Sequence, residues 1–128
     1  SPAIIVLICK GDSILLARTC YSRSPFMGLV AGFLETGESL EACVHREVFE
    51  ETGLQIRNLR YFGNQPWPYP SGLMVGFIAD YAAGEIRLQK EELSEAAFFD
   101  RNRLPPLPPP LSLARRMIDW WLDCPSSR

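Results

Sequence analysis

GFLETGESLEACVHREVFEETGL, residues Gly32 to Leu54, joins a helix start, a helix stop and a cluster of acids within one short stretch. Ser39 has the side chain of an N-cap, and Glu41 puts a negative charge in the first turn, where the helix dipole favours it. Gly53 can take the left-handed conformation that ends a helix. A helix from about Ser39 to Thr52 follows. On it Glu47, Glu50 and Glu51 stand at i, i+3 and i+4, so their carboxylates leave from one face, while Leu40, Val44 and Val48 recur on another. Like charges at this spacing repel by about a few tenths of a kcal/mol per pair, so the cluster needs a cation to make it useful. Divalent Mg2+ or Mn2+, hard and suited to carboxylate oxygen, is the expected occupant. Arg46 lies among the acids, where a guanidinium orients carboxylates through a forked ion pair. His45, the single histidine, is read as a surface or packing residue.

The same stretch fills every fixed slot of the pattern G-x5-E-x7-R-E-U-x-E-E-x-G-U, where U is bulky and aliphatic. The residues are Gly32, Glu38, Arg46, Glu47, Val48, Glu50, Glu51, Gly53 and Leu54. A chance match at a given position is on the order of 10⁻⁸ to 10⁻⁹ at ordinary residue abundances, which excludes coincidence. This pattern is the Nudix box, and the chain resembles the Nudix hydrolases, which cleave a nucleoside diphosphate linked to another group. The resemblance implies an α/β fold, the Nudix α/β/α sandwich with a mixed β-sheet. The box helix is expected on one side of the sheet and the C-terminal helix on the other.

Composition bounds the rest. With 128 residues, 47% hydrophobic and 22% charged, residues 1–128 read as a single soluble domain with a real core. A net charge of -2 gives no general attraction to nucleic acid or to a membrane. Cys9, Cys20, Cys43 and Cys124 are scattered, so neither zinc nor a disulfide framework is expected and a cytoplasmic location is the default. No signal peptide and no membrane-spanning apolar run is present. The chain opens on Ser1 with a strand starting almost at once, as in a piece trimmed from a longer protein.

Taken in order, Ala3 to Cys9 reads as a buried strand, Lys10 to Asp12 as a turn and Ser13 to Ala17 as the returning strand. Phe26 to Gly32 reads as the strand that enters the box, which would set the Ala31 carbonyl beside the acidic helix. Gln55 to Phe62 is a further strand. In GNQPWPYPSG, Gly63 to Gly72, alternate prolines at Pro66, Pro68 and Pro70 argue against ladder pairing and for a stiff loop. Such a loop offers Trp67 and Tyr69 as a platform for a flat ring. Strands are then expected at Leu73 to Tyr81, Glu85 to Leu88 and Ala96 to Phe99, with Lys90 to Glu95 as a charged loop. Leu104 to Pro110 is a polyproline connection to a last helix, capped by Ser112 and running to about Asp123.

Gln65 to Met74, QPWPYPSGLM, resembles the S-Q-P-W-P-F-P-x-S motif that follows the box in NADH pyrophosphatases. The chain departs from that motif at Asn64 and Gly72, where the family has serine, and Tyr69 keeps the ring of its phenylalanine. The resemblance implies a substrate wall formed by Gln65, Pro66, Trp67, Pro68, Tyr69, Pro70, Ser71 and Gly72. It also brings Ala114 to the substrate, through the run L-P-P-P-x-x-x-A-R-R. Glu92 aligns with a distal metal-binding glutamate, with Glu91 and Glu95 as alternatives. The zinc ribbon carried by such enzymes is absent from this segment.

The implied reaction is divalent-metal-dependent hydrolysis of the pyrophosphate of NADH or NAD to AMP and nicotinamide mononucleotide, in a homodimer. The implied metal ligands are the Ala31 carbonyl, Glu47, Glu50, Glu51 and Glu92. Glu50 and Glu51 are both candidates for the general base, and Arg46 supports them. Removal of an NAD cap from RNA, cleavage of ADP-ribose, and a non-catalytic nucleotide-sensing module are the competing readings.

Overall fold

A computed structural model describes residues 2–67 and 72–125, with Trp67 described in its backbone only. The expectations at Pro68, Tyr69, Pro70 and Ser71, and for the Trp67 ring, lie outside the described residues. The elements are β1 (Ala3–Lys10), β2 (Ser13–Thr19), β3 (Val30–Phe33), α1 (Leu40–Thr52), β4 (Gln55–Trp67), β5 (Gly72–Ala83), β6 (Leu93–Asp100) and α2 (Leu113–Asp123).

β1 organises the six-stranded sheet, whose order is β4-β5-β1-β2-β6 with β3 also on β1. It runs parallel to β5 from Ala3↔Met74 to Cys9↔Asp80, and every other pairing is antiparallel. Its opposite edge is shared: β3 pairs with Ala3 to Val6, and β2 with Cys9 and Lys10. The box strand is thereby placed against the first half of the central strand.

The unbroken apolar run of β1 is explained by cover on both faces. Ile4, Val6 and Ile8 pack with Cys43, Val44 and Val48 of α1, whereas Ile5 and Leu7 pack with Leu113, Met117, Ile118 and Trp121 of α2. Burial of each large aliphatic chain contributes about 1.5–3 kcal/mol. One helix therefore lies on each side of the mixed sheet, the expected α/β/α arrangement.

Four sequence expectations are corrected. β3 begins at Val30 rather than Phe26, because the preceding residues bond elsewhere: Met27 N–H to the Pro106 carbonyl at 2.9 Å, and Gly28 to Ala17 in both directions at 2.7 and 2.8 Å. β4 runs past Phe62 to Trp67, and Pro66 pairs with Leu73 in spite of its missing N–H. β4 is an edge strand, where proline is tolerated because one side of the backbone needs no ladder partner. Residues 85–88 form no strand; Arg87 and Gln89 instead donate to the Thr52 and Glu51 carbonyls at 2.8 and 3.0 Å, serving the last turn of α1. Finally, β6 begins at Leu93, so the last residues of the expected charged loop are strand.

Candidate active site

α1 ends where its sequence indicates. Ser39 Oγ accepts from the Ala42 N–H at 3.0 Å, and Gly53, at φ 75°, donates its N–H to the Phe49 carbonyl at 2.9 Å. Between these caps the acids share one face but not one environment. Glu51 is buried at 5% exposure, the Glu47 side chain is 13% exposed, and that of Glu50 is half-exposed at 49%.

β3 closes the site from the sheet side. A Cβ built on Gly32 would lie 2.6 Å from Glu47 Cγ and closer still to its carboxylate, so only glycine permits this approach of strand and helix. Ala31, next to it in β3, pairs with Ile5. Phe33 follows, 64% exposed, and its carbonyl accepts from Arg46 Nη2 at 3.1 Å.

Arg46 is the hub of the acid cluster. Its Nε and Nη2 fork onto the two Glu38 oxygens at 2.6 and 2.9 Å, and Nη1 reaches Glu47 at 3.3 Å and Glu50 at 3.1 Å. Glu35 stands 3.6 Å away, and its N–H donates to Glu38 at 3.0 Å. The Arg46 hydrogen bond, followed by that N–H, holds the Glu38 carboxyl at about 2, well below its ordinary range. Arg46 is itself shifted upward, chiefly by Glu38.

Glu51 moves the other way. Burial, then the neighbouring Glu47, then Glu92 and Glu50 push it up to about 9, so without a counter-ion it holds a proton at neutral pH. Glu92 is thus close enough to act on Glu51 although 41 positions separate them in the chain (92 minus 51). The alternatives for the distal acid are otherwise placed. Glu95 binds Arg18 Nε at 2.9 Å, and Glu91 is exposed. Tyr21 and Phe33 were not singled out by the sequence reading; the Tyr21 hydroxyl donates to Glu92 at 3.4 Å. Phe33 enters through its backbone carbonyl, which has no signature in the sequence, and the approach of Tyr21 depends on the β2–β6 pairing.

The expected substrate residues divide. Gln65 uses both ends of its amide on the start of α2: Nε2 donates to the Leu111 carbonyl at 3.1 Å, and Oε1 accepts from the Leu113 N–H at 3.1 Å. Ala114 packs partly buried against the α2-side core. Pro66 and Gly72 lie in the β4–β5 ladder, on either side of the undescribed tip.

The fit to a divalent cation rests on charge and donor chemistry. Among the described residues no three His, Cys, Asp or Glu side chains form a ready-made ligand cluster. The acids around Glu51 are nevertheless all oxygen donors, and after burial their charge adds to its raised proton affinity; a hard cation would relieve that repulsion.

A mixed sheet between two helices, one of them a capped helix of clustered glutamates, defines a Nudix domain. The family description "NUDIX domain" matches residues 1–121, and the chain belongs to that family. It is 48% identical over 118 residues to the NAD-capped RNA hydrolase NudC of Chromobacterium violaceum, covering 92% of this chain and 44% of that protein. To the protein of the same name from Pasteurella multocida it is 50% identical over 123 residues, covering 95% and 47%. The chain therefore spans less than half the length of these curated relatives. Among solved structures, a MutT NUDIX hydrolase from Burkholderia pseudomallei superposes with a TM-score of 0.74 at 21% identity, over 91% of this chain and 92% of that one. An ADP-ribose pyrophosphatase from Streptococcus suis gives 0.67 at 24% identity, over 83% and 78%. At such identities the structural likeness speaks for the fold alone.

Proposed function

We propose that this chain is the catalytic domain of a pyrophosphatase that hydrolyses NADH and NAD to AMP and nicotinamide mononucleotide. The observation that carries this reading is the capped box helix, with Glu51 buried and Glu47 and Glu50 both tied to Arg46. The Gln65 to Met74 stretch supports the choice of substrate, as does the 50% identity to a relative named for hydrolysing NAD-capped RNA.

Mg2+ or Mn2+, bound by the Ala31 carbonyl and by Glu47, Glu50, Glu51 and Glu92, would offset phosphate charge and acidify a water. A carboxylate of Glu50 or Glu51 takes the proton of the attacking water as its oxygen bonds to phosphorus and the bridging P–O bond breaks in line. Arg46 keeps Glu38, Glu47 and Glu50 oriented through its forked contacts. Trp67 and Tyr69 are the rings that the sequence offers for stacking a substrate base.

Incubation with NADH, ADP-ribose, diadenosine polyphosphates and dNTPs, in Mg2+ or Mn2+ and with products resolved, tests the reading. NADH should yield AMP; its survival while ADP-ribose or a dNTP is consumed would refute the substrate. Removal of the NAD cap from RNA, for which the relatives are named, breaks the same bond and is the second reading. Competition between NADH and NAD-capped RNA, with kinetics for each, separates the two. Metal-dependent binding without turnover in any divalent ion would point instead to a sensing module. We also propose a cytoplasmic homodimer, for which light scattering and cell fractionation are the tests. Among the described residues no helix is long and apolar enough to cross a membrane.

A further inference from the structure

A cavity of about 400 Å³ opens at the end of β1 beside the last turn of α2. Its walls gather around Cys9 and Lys10, whereas Gly32 of the box pairs with Ile4 near the start of the same strand. Arg57, Arg60, Arg101, Trp120 and Trp121 supply most of the chemistry of its lining. In a chain of net charge -2 this gathering of arginines is a local exception.

Three arginines and Lys10 line the cavity with two carboxylates, Asp12 and Asp80. Arg60 binds Asp80 at 3.1 Å, and Asn58 holds the other oxygen of that carboxylate at 2.9 Å, so Asp80 is already engaged. Lys10 is turned towards the Tyr81 and Phe98 rings, 4.3 and 5.1 Å from their centroids. Arg101 is fixed from two sides: Nη1 donates to the Trp121 and Leu122 carbonyls at 2.9 and 3.1 Å, and the guanidinium lies over the Trp121 ring at 4.6 Å. Held in this way, its buried Nε has no hydrogen-bond partner. A donor shielded from water and left unpaired favours an incoming acceptor. The last carbonyls of α2 would repel an anion, but Arg101 stands on them.

Beside this donor, Trp120 is 41% exposed and held edge-on by Phe62, with 5.9 Å between the ring centroids. Guanidinium donors next to an open indole suit a phosphate attached to a flat ring, whereas a small carboxylate would leave the indole uncovered. The volume is in the range of small-molecule sites. We propose that this cavity is a second binding site, separate from the acidic one, for a nucleoside monophosphate unit. That unit is either a free nucleotide or one nucleotide within an RNA chain; the two share phosphate and base.

The test uses ¹⁵N-labelled protein in EDTA, titrated with AMP and separately with a short single-stranded oligoribonucleotide bearing a 5′-hydroxyl, which has no pyrophosphate to cleave. Saturable shifts are expected at the Trp120 and Trp121 indole N–H and the Cys9 and Asp80 amides, with Gly32 and Glu51 as reporters of the acidic site. Arg57→Gln and Arg101→Lys should each weaken binding at least about tenfold while leaving NADH hydrolysis unchanged. Arg101→Lys keeps the charge on α2 but removes the Nε donor; Arg57→Gln is the control should that variant fold poorly. Tighter binding of the oligonucleotide assigns the site to RNA, and equal binding assigns it to free nucleotide. Silence at Trp120 and Trp121 with both ligands, or wild-type affinity in Arg57→Gln, overturns the proposal.

Discussion

The Glu47 side chain occupies the space that any side chain on Gly32 would need, with Glu47 Cγ only 2.6 Å from the position of a Cβ. Strand and helix meet there without clearance. Gly32→Ala should displace the Glu47 carboxylate and lower kcat for NADH on the order of 10²-fold, at a stability cost of about 1–3 kcal/mol. Steady-state kinetics and urea unfolding measure the two, and wild-type turnover in a folded variant would show that Glu47 has no precise position to lose.

Glu51 ties activity to stability in opposite senses. In the metal-free protein its folded-state value of about 9 exceeds the ordinary value of 4.5, so the folded state keeps a proton that the unfolded chain releases. That contribution is complete below pH 4.5 and is lost as pH rises towards 9. Glu51→Gln should flatten this slope, making metal-free protein about 1–2 kcal/mol more resistant to urea between pH 7 and 9 while abolishing most turnover. An unaltered slope would assign the pH dependence to other groups.

Arg46→Lys retains a positive charge and loses the fork on Glu38. The depressed Glu38 value makes its stabilisation complete above pH 4.5 and progressively lost as pH falls through about 2. In the lysine variant acid unfolding should begin at higher pH, and kcat/KM should fall by about 10- to 100-fold. Circular dichroism across an acid titration checks the first, and NADH kinetics the second.

Gln65→Leu removes both of the amide's bonds to the start of α2. A loss of about 1–2 kcal/mol in urea is expected, together with a rise in KM if the latch aligns Ala114 with substrate. A rise in KM without loss of stability would mean instead that the amide meets the substrate itself.

How far the fold could be read depended on whether its causes were local. The α1 boundaries follow from Ser39 and Gly53, whose caps act within a turn of their own positions, and the layering follows from the apolar run of β1. The extension of β4 through Pro66 was hidden because the tolerance comes from its place at the sheet edge, which no short window reveals. The same holds for residues 85–88, whose alternation resembles a strand while two nearby N–H groups serve a helix end. Within the candidate site the box acids and the Arg46 fork were legible from spacing. Glu92 required a family resemblance to be chosen over Glu91 and Glu95, since its approach to Glu51 is set by pairing between distant strands. Tyr21 went unnoticed for that reason.

The backbone bond from Gln89 to the Glu51 carbonyl has a consequence for evolutionary change. The residue that carries the buried acid also moors, through its main chain, the segment that delivers the distal acid opposite it. Insertions or deletions between Gly84 and Gln89 would shift that mooring by whole residues and uncouple the pair. The same change between Gly11 and Ser13 would alter a hairpin tip and leave both acids in place. Length variation in this domain should therefore be strongly uneven, scarce in the short connection after β5 and common at turns that hold nothing in register.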